Sequence, residues 1–202
     1  MEDLLLALNE DDTIYTEIIK TNLSERKLLI NTEISDALIE RIVLMILKWN
    51  KEDKNLPVEK RKKIILYLNS IGGDVCSGNA IIDAITTSKT PVITVALGQC
   101  ASMCSYILMA GSERICFPHS IVLLHDGSSG YCTTSNKGRD IQKYYDSLDS
   151  KISEFVKTHT NMTDEYLESI KDRELYLWGT EAKEKGIIDK IVGVDVDIDY
   201  VI

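Results

Sequence analysis

The chain has 202 residues, 44% apolar and 27% charged, with a formal net charge of −9, which is the profile of one soluble globular domain able to bury a real core. The acidic balance leaves no basic excess to neutralise phosphates, which argues against a nucleic-acid partner. No apolar run is long enough to span a bilayer and Met1-Glu2-Asp3 lacks the basic start of a secretory signal, so a cytoplasmic chain with no membrane partner is expected.

In chain order, Lys27-Leu28-Leu29-Ile30 reads as a strand. Ile34 to Trp49 reads as a helix, with Leu38, Ile42, Met45, Ile46 and Trp49 on one face. The charged stretch from Lys51 to Lys63, broken by Pro57, reads as a loop. Ile64 to Leu68 is a short buried strand that ends at Asn69-Ser70-Ile71-Gly72-Gly73-Asp74. A helix from about Val75 to Thr87 follows, and Pro91 opens the strand Val92 to Leu97. Ser102 stands between that strand and an apolar helical run, Ser105 to Ala110. Two short strands, Arg114 to Phe117 and Ile121 to Leu124, lead to a polar loop from Asp126 to Asn136. A long helix over about Lys137 to Thr158 carries Ile141, Tyr144, Tyr145, Leu148, Ile152 and Phe155 as a stripe. Strands and helices alternating at these lengths predict an α/β layered fold with a mostly parallel sheet.

Four pieces of this chain carry candidate chemistry. Ser102 sits where a helix N-terminus leaves backbone amides unpaired, which suits a nucleophile beside an oxyanion site; a plain helix cap explains it equally well. The pair Gly72-Gly73 lets backbone approach a ligand closely, or simply makes a tight turn. His125 ends a strand and opens a loop, as a general base needs, although an ordinary hydrogen-bonded histidine would look the same. His119 and His159 read as surface residues. The acidic pair Asp172 and Glu174 offers a carboxylate to orient an imidazole, or forms a solvated patch. The five cysteines include no Cys-x-x-Cys pair and suit a reducing compartment. Cys100 and Cys104 share a helix face around Ser102 in this reading and pack as small hydrophobes; two thiols make no metal site, and no metal is expected.

Together the pieces resemble the caseinolytic (Clp) protease proteolytic subunit family of serine peptidases, over roughly Lys27 to Val192. The resemblance is carried by Tyr67-Leu68-Asn69-Ser70-Ile71-Gly72-Gly73, Gly98-Gln99-Cys100-Ala101-Ser102-Met103, Pro118 to His125, and Thr180 to Asp189. It implies a Clp protease/crotonase-like layered fold of repeated β-β-α units with a projecting handle helix at about 137–158. One domain would span 1–202, with a divergent N-terminal segment at 1–26. It further implies Ser102 as nucleophile, His125 as base, and the backbone N–H groups of Gly73 and Met103 as oxyanion hole. The family's Arg-Asp-x-Phe-Leu run aligns on Arg173-Glu174-Leu175-Tyr176-Leu177, which makes Glu174 the acid, one methylene longer than usual. Asp172 is the runner-up: if Lys171 to Leu177 is extended, residues 172 and 174 point the same way and a small shift exchanges them.

The activity so implied is hydrolysis of peptide bonds in unfolded polypeptides inside a homo-oligomeric ring, a heptamer or tetradecamer. No cofactor is expected. ATP would be used by a partner unfoldase, since this chain has no Gly-x-x-x-x-Gly-Lys-Ser/Thr loop. Ile71 before the glycine pair, Asp126-Gly127 after the histidine, Cys100 and Cys104, and the charged insert from Lys54 to Arg61 all depart from the family pattern and mark a divergent member. Three rival readings stand beside it. A catalytically silent ring subunit would keep the fold alone. A crotonase-like acyl-thioester enzyme would need a carboxylate near the oxyanion donors. A serine–lysine signal-peptide peptidase would need a lysine base.

Overall fold

The computed structural model describes residues 13–127 and 130–202. The first part of the divergent N-terminal segment, and Ser128 and Ser129 of the polar loop, lie outside these. Helix α1 (Thr13–Ser24) leads into β1 (Lys27–Ile30). A π-helical turn (Ile39–Val43) continues as α2 (Leu44–Glu52), followed by β2 (Ile64–Ser70) and α3 (Val75–Thr86). Then come β3 (Val92–Ala101), α4 (Met103–Met109), β4 (Glu113–Cys116) and β5 (Ile121–Leu124). The long α5 (Ser135–His159), α6 (Asp164–Ser169), β6 (Leu175–Trp178), α7 (Gly179–Glu184) and β7 (Lys190–Ile191) follow, and a 3-10 turn at Ile198–Tyr200 precedes the end.

The sheet runs β1-β2-β3-β4-β7 with every neighbour parallel. Strand β3 is long enough to serve two partners on one edge. Its first half, Ile93 to Ala96, pairs with β4, and its second half, Gln99 to Ala101, pairs with β5. Strand β6 then runs antiparallel to β5.

Alternation along the strands sorts side chains to two faces. Ile64, Leu66 and Leu68 of β2 enter the main core with the helices, and all three are fully buried. Ile65 and Tyr67 face the other way, against a smaller core of Ile93, Val95, Ile115, Val192 and Val201. The C-terminal segment covers that second face, and the Tyr67 hydroxyl donates to the Val201 carbonyl. Truncating a buried Ile or Leu in either layer costs about 2–5 kcal/mol.

Three expectations need correction. Ile34 is not helical. Its N–H donates to the Gly72 carbonyl at 2.8 Å and its carbonyl accepts from Asp74 at 2.9 Å, so a bridge to Gly73 consumes the groups a helix would use, and helical backbone begins at Ala37. The helix also runs on to Glu52, which brings Asp53, buried and bonded to Arg26 and Thr90, into what read as loop. Cys100 and Cys104 share no helix face: Cys100 pairs with Ser70 and Val122 as part of β3, which continues to Ala101, while Cys104 lies in α4.

The handle helix α5 is anchored at one end. Its only buried residue is Val156, and Ile152 and Phe155 pack beside it on the main core. Farther out, Tyr145 stacks on Tyr131 with ring centres 6.4 Å apart, and Tyr144 remains exposed.

Candidate active site

Parallel strands β2, β3 and β5 end side by side, and the candidate residues follow those carboxyl ends, where open α/β sheets collect their ligands. Ala101 pairs with Leu123, and the Ser102 N–H donates to the Leu123 carbonyl at 2.9 Å. This bond sets Ser102 beside the end of the strand that His125 follows.

Ser102 itself is bent into an uncommon shape, φ 53° and ψ −126°. A side-chain-bearing residue pays on the order of 1–3 kcal/mol for such a conformation. The helix-cap reading of Ser102 has no bond behind it: its hydroxyl makes no capping hydrogen bond, and the Ser105 hydroxyl donates instead to the Ser102 carbonyl at 2.7 Å. What holds the bend is the preceding glycine loop. A Cβ on Gly72 would lie 2.6 Å from the Ser102 Cβ, 2.8 Å from the Ala101 carbonyl and 3.0 Å from the Met103 nitrogen. Only glycine fits there, at φ 99°, with Gly73 next at φ 146°. The Gly72 N–H is taken up by the Ser70 hydroxyl at 3.2 Å.

The N–H groups of Gly73 and Met103 donate no hydrogen bond to any described residue. Met103 opens α4, where the first amides have no intrahelical partner. Both lie at the Gly72–Ser102 contact. Gly73 is also tightly packed on its far side, where a Cβ would meet the Ile34 carbonyl at 2.3 Å and the Glu33 Cγ at 2.8 Å.

On the opposite side of the site, β5 and β6 pair Leu124 with Leu175. One step further along this register puts His125 across from Glu174. The imidazole Nδ1 and the Glu174 Oε1 are 3.0 Å apart, with the two side chains 28% and 53% exposed. Asp172 is placed differently. The segment is not extended at this point: residues 170–172 form a turn and Asp172 adopts φ 58°. The alternation that would have let the two acids trade places is therefore broken. Ser102 and His125 come from adjoining strand ends, but no hydrogen bond joins them among the described residues.

Around this set the remaining chemistry is muted. Burial pushes the Cys100 thiol well above its ordinary range, helped by the Cys104 thiol beside it, which suits inert packing. Tyr106 of α4 is pushed up to about 12, first by burial and then by Asp126 and Asp149. Asp74 caps α3 by accepting from the Ser77 amide and hydroxyl at 2.7 and 2.6 Å, and these bonds hold its carboxyl below the usual range. Among the described residues, no group of three or more His, Cys, Asp or Glu side chains is arranged to hold a metal ion. No described helix is long and apolar enough to cross a membrane.

Sequence reasoning did not foresee what three residues do here. Gly72 packs directly on the serine, and the only signal was the glycine pair. Gly78, mid-helix in α3, lies under the Met103 side chain, whose Cγ would be 2.3 Å from a Cβ at that position. An isolated glycine inside a helical pattern is the signal there, since it usually has a packing reason. Asp126 bonds the Asp172 amide, and the sequence marked it only as a departure from the family pattern after His125.

A mostly parallel α/β sheet, layered with helices and with its polar groups gathered where β2, β3 and β5 end, places the molecule in the class of layered α/β folds. The family model for Clp protease matches residues 10–195, and the chain belongs to that family. It is 27% identical over 194 residues to the ATP-dependent Clp protease proteolytic subunit 2 of Rhodococcus jostii (strain RHA1), covering 95% of this chain and 94% of that protein. It is 33% identical over 175 residues to the proteolytic subunit 2 of Prochlorococcus marinus (strain MIT 9313), covering 83% and 82%. The proteolytic subunit 3 of Synechococcus sp. (strain CC9605) is 32% identical over 178 residues, again at 83% and 82%.

Proposed function

We propose that this chain is a serine endopeptidase that cuts unfolded polypeptides through Ser102, His125 and Glu174. One observation carries the reading: the imidazole with a carboxylate 3.0 Å from its Nδ1 follows the strand whose end is bonded to the backbone of a strained serine. A carboxylate in that place fixes the tautomer that leaves Nε2 free to accept a proton, and stabilises the imidazolium that results.

The Ser102 oxygen attacks the carbonyl carbon of the scissile bond while His125 takes the hydroxyl proton. The carbonyl oxygen becomes an oxyanion held by the N–H groups of Gly73 and Met103, each worth roughly 10²–10³ in rate in such sites. On collapse the C–N bond breaks and His125 gives its proton to the departing amine, leaving an acyl ester on Ser102. Water, deprotonated by the same imidazole, then releases the acid and restores the serine. Side chains and backbone supply every group these steps use, so no metal or cofactor of the chain's own is invoked. The proteins it is similar to are named as proteolytic subunits of an ATP-dependent protease. By that likeness the subunit works in the cytoplasm as a heptameric or tetradecameric ring, with ATP spent by a partner unfoldase. The stripe of α5 beyond its anchored end, with Ile141 and Leu148 half-buried and Tyr144 exposed, suits partner-helix packing between rings.

A silent ring subunit is the second reading. It is favoured by the absence of a described bond between Ser102 and His125, although such bonds are often formed only with substrate present. The crotonase-like reading gives His125 and Glu174 no task. Fluorophosphonate labelling decides between activity and silence. The expected result is modification of Ser102 and hydrolysis of a short fluorogenic peptide that falls by at least ~10⁴-fold in Ser102→Ala. An assembled ring with unmodified Ser102 would establish the silent subunit, and a monomer by native mass would remove the chamber.

A further inference from the structure

One contact beside the proposed triad has no part in the chemistry above. Asp126, the residue after the imidazole, accepts a hydrogen bond through Oδ2 from the Asp172 backbone N–H at 2.5 Å. Asp172 stands at φ 58°, a left-handed shape uncommon outside glycine, which aspartate tolerates better than most residues and which a further contact can fix. The strand ladder does not enforce it, because pairing between β5 and β6 stops at Leu124 and Leu175. Local bonds from Lys171 to the Glu168 carbonyl at 3.4 Å and from Arg173 to the Ile170 carbonyl at 3.1 Å close the turn onto α6 alone. Among the described residues, only two hydrogen bonds join residues 170–174 to the end of β5: His125 to Glu174, and Asp172 to Asp126.

We infer that Asp126 is a positioning residue for the triad, pinning the Asp172 amide so that the turn presents Glu174 to the His125 Nδ1. Two successive residues of one strand end grip two residues of the facing turn. The need is physical. Glu174 is 53% exposed, and a glutamate held at one point has rotamer freedom worth up to ~2 kcal/mol to lose. Fixing the backbone two residues earlier removes the hinge about which the whole segment would swing. The contact requires an acceptor oxygen at position 126, not a charge, and this separates it from a direct electrostatic effect of Asp126 on the imidazole.

The inference rests on the peptidase reading, and the experiment reads the two independently. Single-residue amide exchange at Asp172 and kinetics on a short fluorogenic peptide are measured for the full chain and for Asp126→Ala and Asp126→Asn. The expected result is that Asp126→Ala speeds exchange of the Asp172 amide about tenfold, the loss of one charge-assisted hydrogen bond. It also lowers kcat about tenfold at unchanged KM, as a small misplacement of a catalytic group does. Asp126→Asn, which keeps a carbonyl acceptor, restores both to within about threefold. An Asp172 amide whose exchange does not respond in Asp126→Ala overturns the inference while leaving the peptidase reading intact. Asparagine as damaging as alanine overturns it in favour of a charge effect. A wild-type chain that hydrolyses nothing and resists fluorophosphonate overturns the positioning role together with the peptidase reading, whatever the exchange shows.

Discussion

Backbone packed on backbone holds Ser102, whereas a turn and two exposed polar contacts hold Glu174. At the serine, Gly72 leaves no room for a methyl group against Ser102, Ala101 and Met103, and the Met103 side chain is 2% exposed. Across the site, Glu174 is more than half exposed and meets the protein through His125. The first arrangement is part of the core and cannot change without cost to folding. The second is separable from the core, so the proposed acid, set on a turn of its own shape, can be changed without disturbing any strand.

The largest effect is expected where the two kinds of support differ most. Gly72→Ala adds a Cβ 2.6 Å from that of Ser102 at φ 99°, combining overpacking with backbone strain. A destabilisation of about 3 kcal/mol is expected, which lowers Tm by roughly 6–12 °C in a chain of this size. Peptidase activity should fall below detection even at temperatures where the variant is folded. Thermal melts beside turnover of a fluorogenic peptide check this. A folded Gly72→Ala enzyme with near-normal turnover would show that the serine is not held by this packing.

Glu174→Gln is the counterpart on the exposed side. It removes the carboxylate charge that orients and stabilises the imidazolium, with a loss in kcat of about 10³–10⁴. Because Glu174 supports nothing but that contact, Tm should stay within about 1 °C, since exposed substitutions rarely exceed ~0.5 kcal/mol. Asp172→Asn keeps the backbone N–H and should change kcat by less than about threefold. Kinetics of the three proteins side by side provide the check. A large loss at Asp172 with none at Glu174 would reverse the assignment of the acid and dissolve the contrast between the two sides.

The same contrast explains what the sequence disclosed. Strands β1, β2 and β5 and helix α3 were legible because their apolar periodicity is local, and Ser102, His125 and the glycine pair stood out as candidates because each falls at a strand end, where the structure also has them. The non-helical state of Ile34 was not, since its bonding partners, Gly72 and Asp74, are distant in sequence. The turn at Asp172 was hidden for a related reason. Nothing in Lys171-Asp172-Arg173-Glu174 forbids an extended chain, and the residue that contacts the left-handed Asp172, Asp126, is distant in sequence. Asp53 was missed because a charged stretch reads as solvated, whereas its carboxylate is buried against Arg26.

That buried pair is expected to leave turnover untouched, and it calibrates the other two by lowering stability far from Ser102. The Arg26 guanidinium bonds both oxygens of Asp53 at 2.5 and 2.8 Å, and the Thr90 hydroxyl adds a third contact at 3.1 Å. Arg26 holds the Asp53 carboxyl below its ordinary value of 3.8, against the opposing push of burial and with help from Thr90. A carboxyl whose folded pKa is depressed contributes stability that is complete above its unfolded pKa. That stability is lost as the pH falls below about 4 towards the folded value. Asp53→Asn should therefore cost about 2 kcal/mol near neutrality, less than the ~3–5 usual for breaking a buried pair, because Glu52 stands 3.6 Å from the same guanidinium. The cost should shrink as the pH drops through 4, so that wild type and variant converge in acid. Urea unfolding across pH 3 to 7 reads this directly, with turnover per folded molecule unchanged. Parallel curves over the whole range would mean that the charge of Asp53 contributes nothing, and that the stability of this corner rests on packing alone.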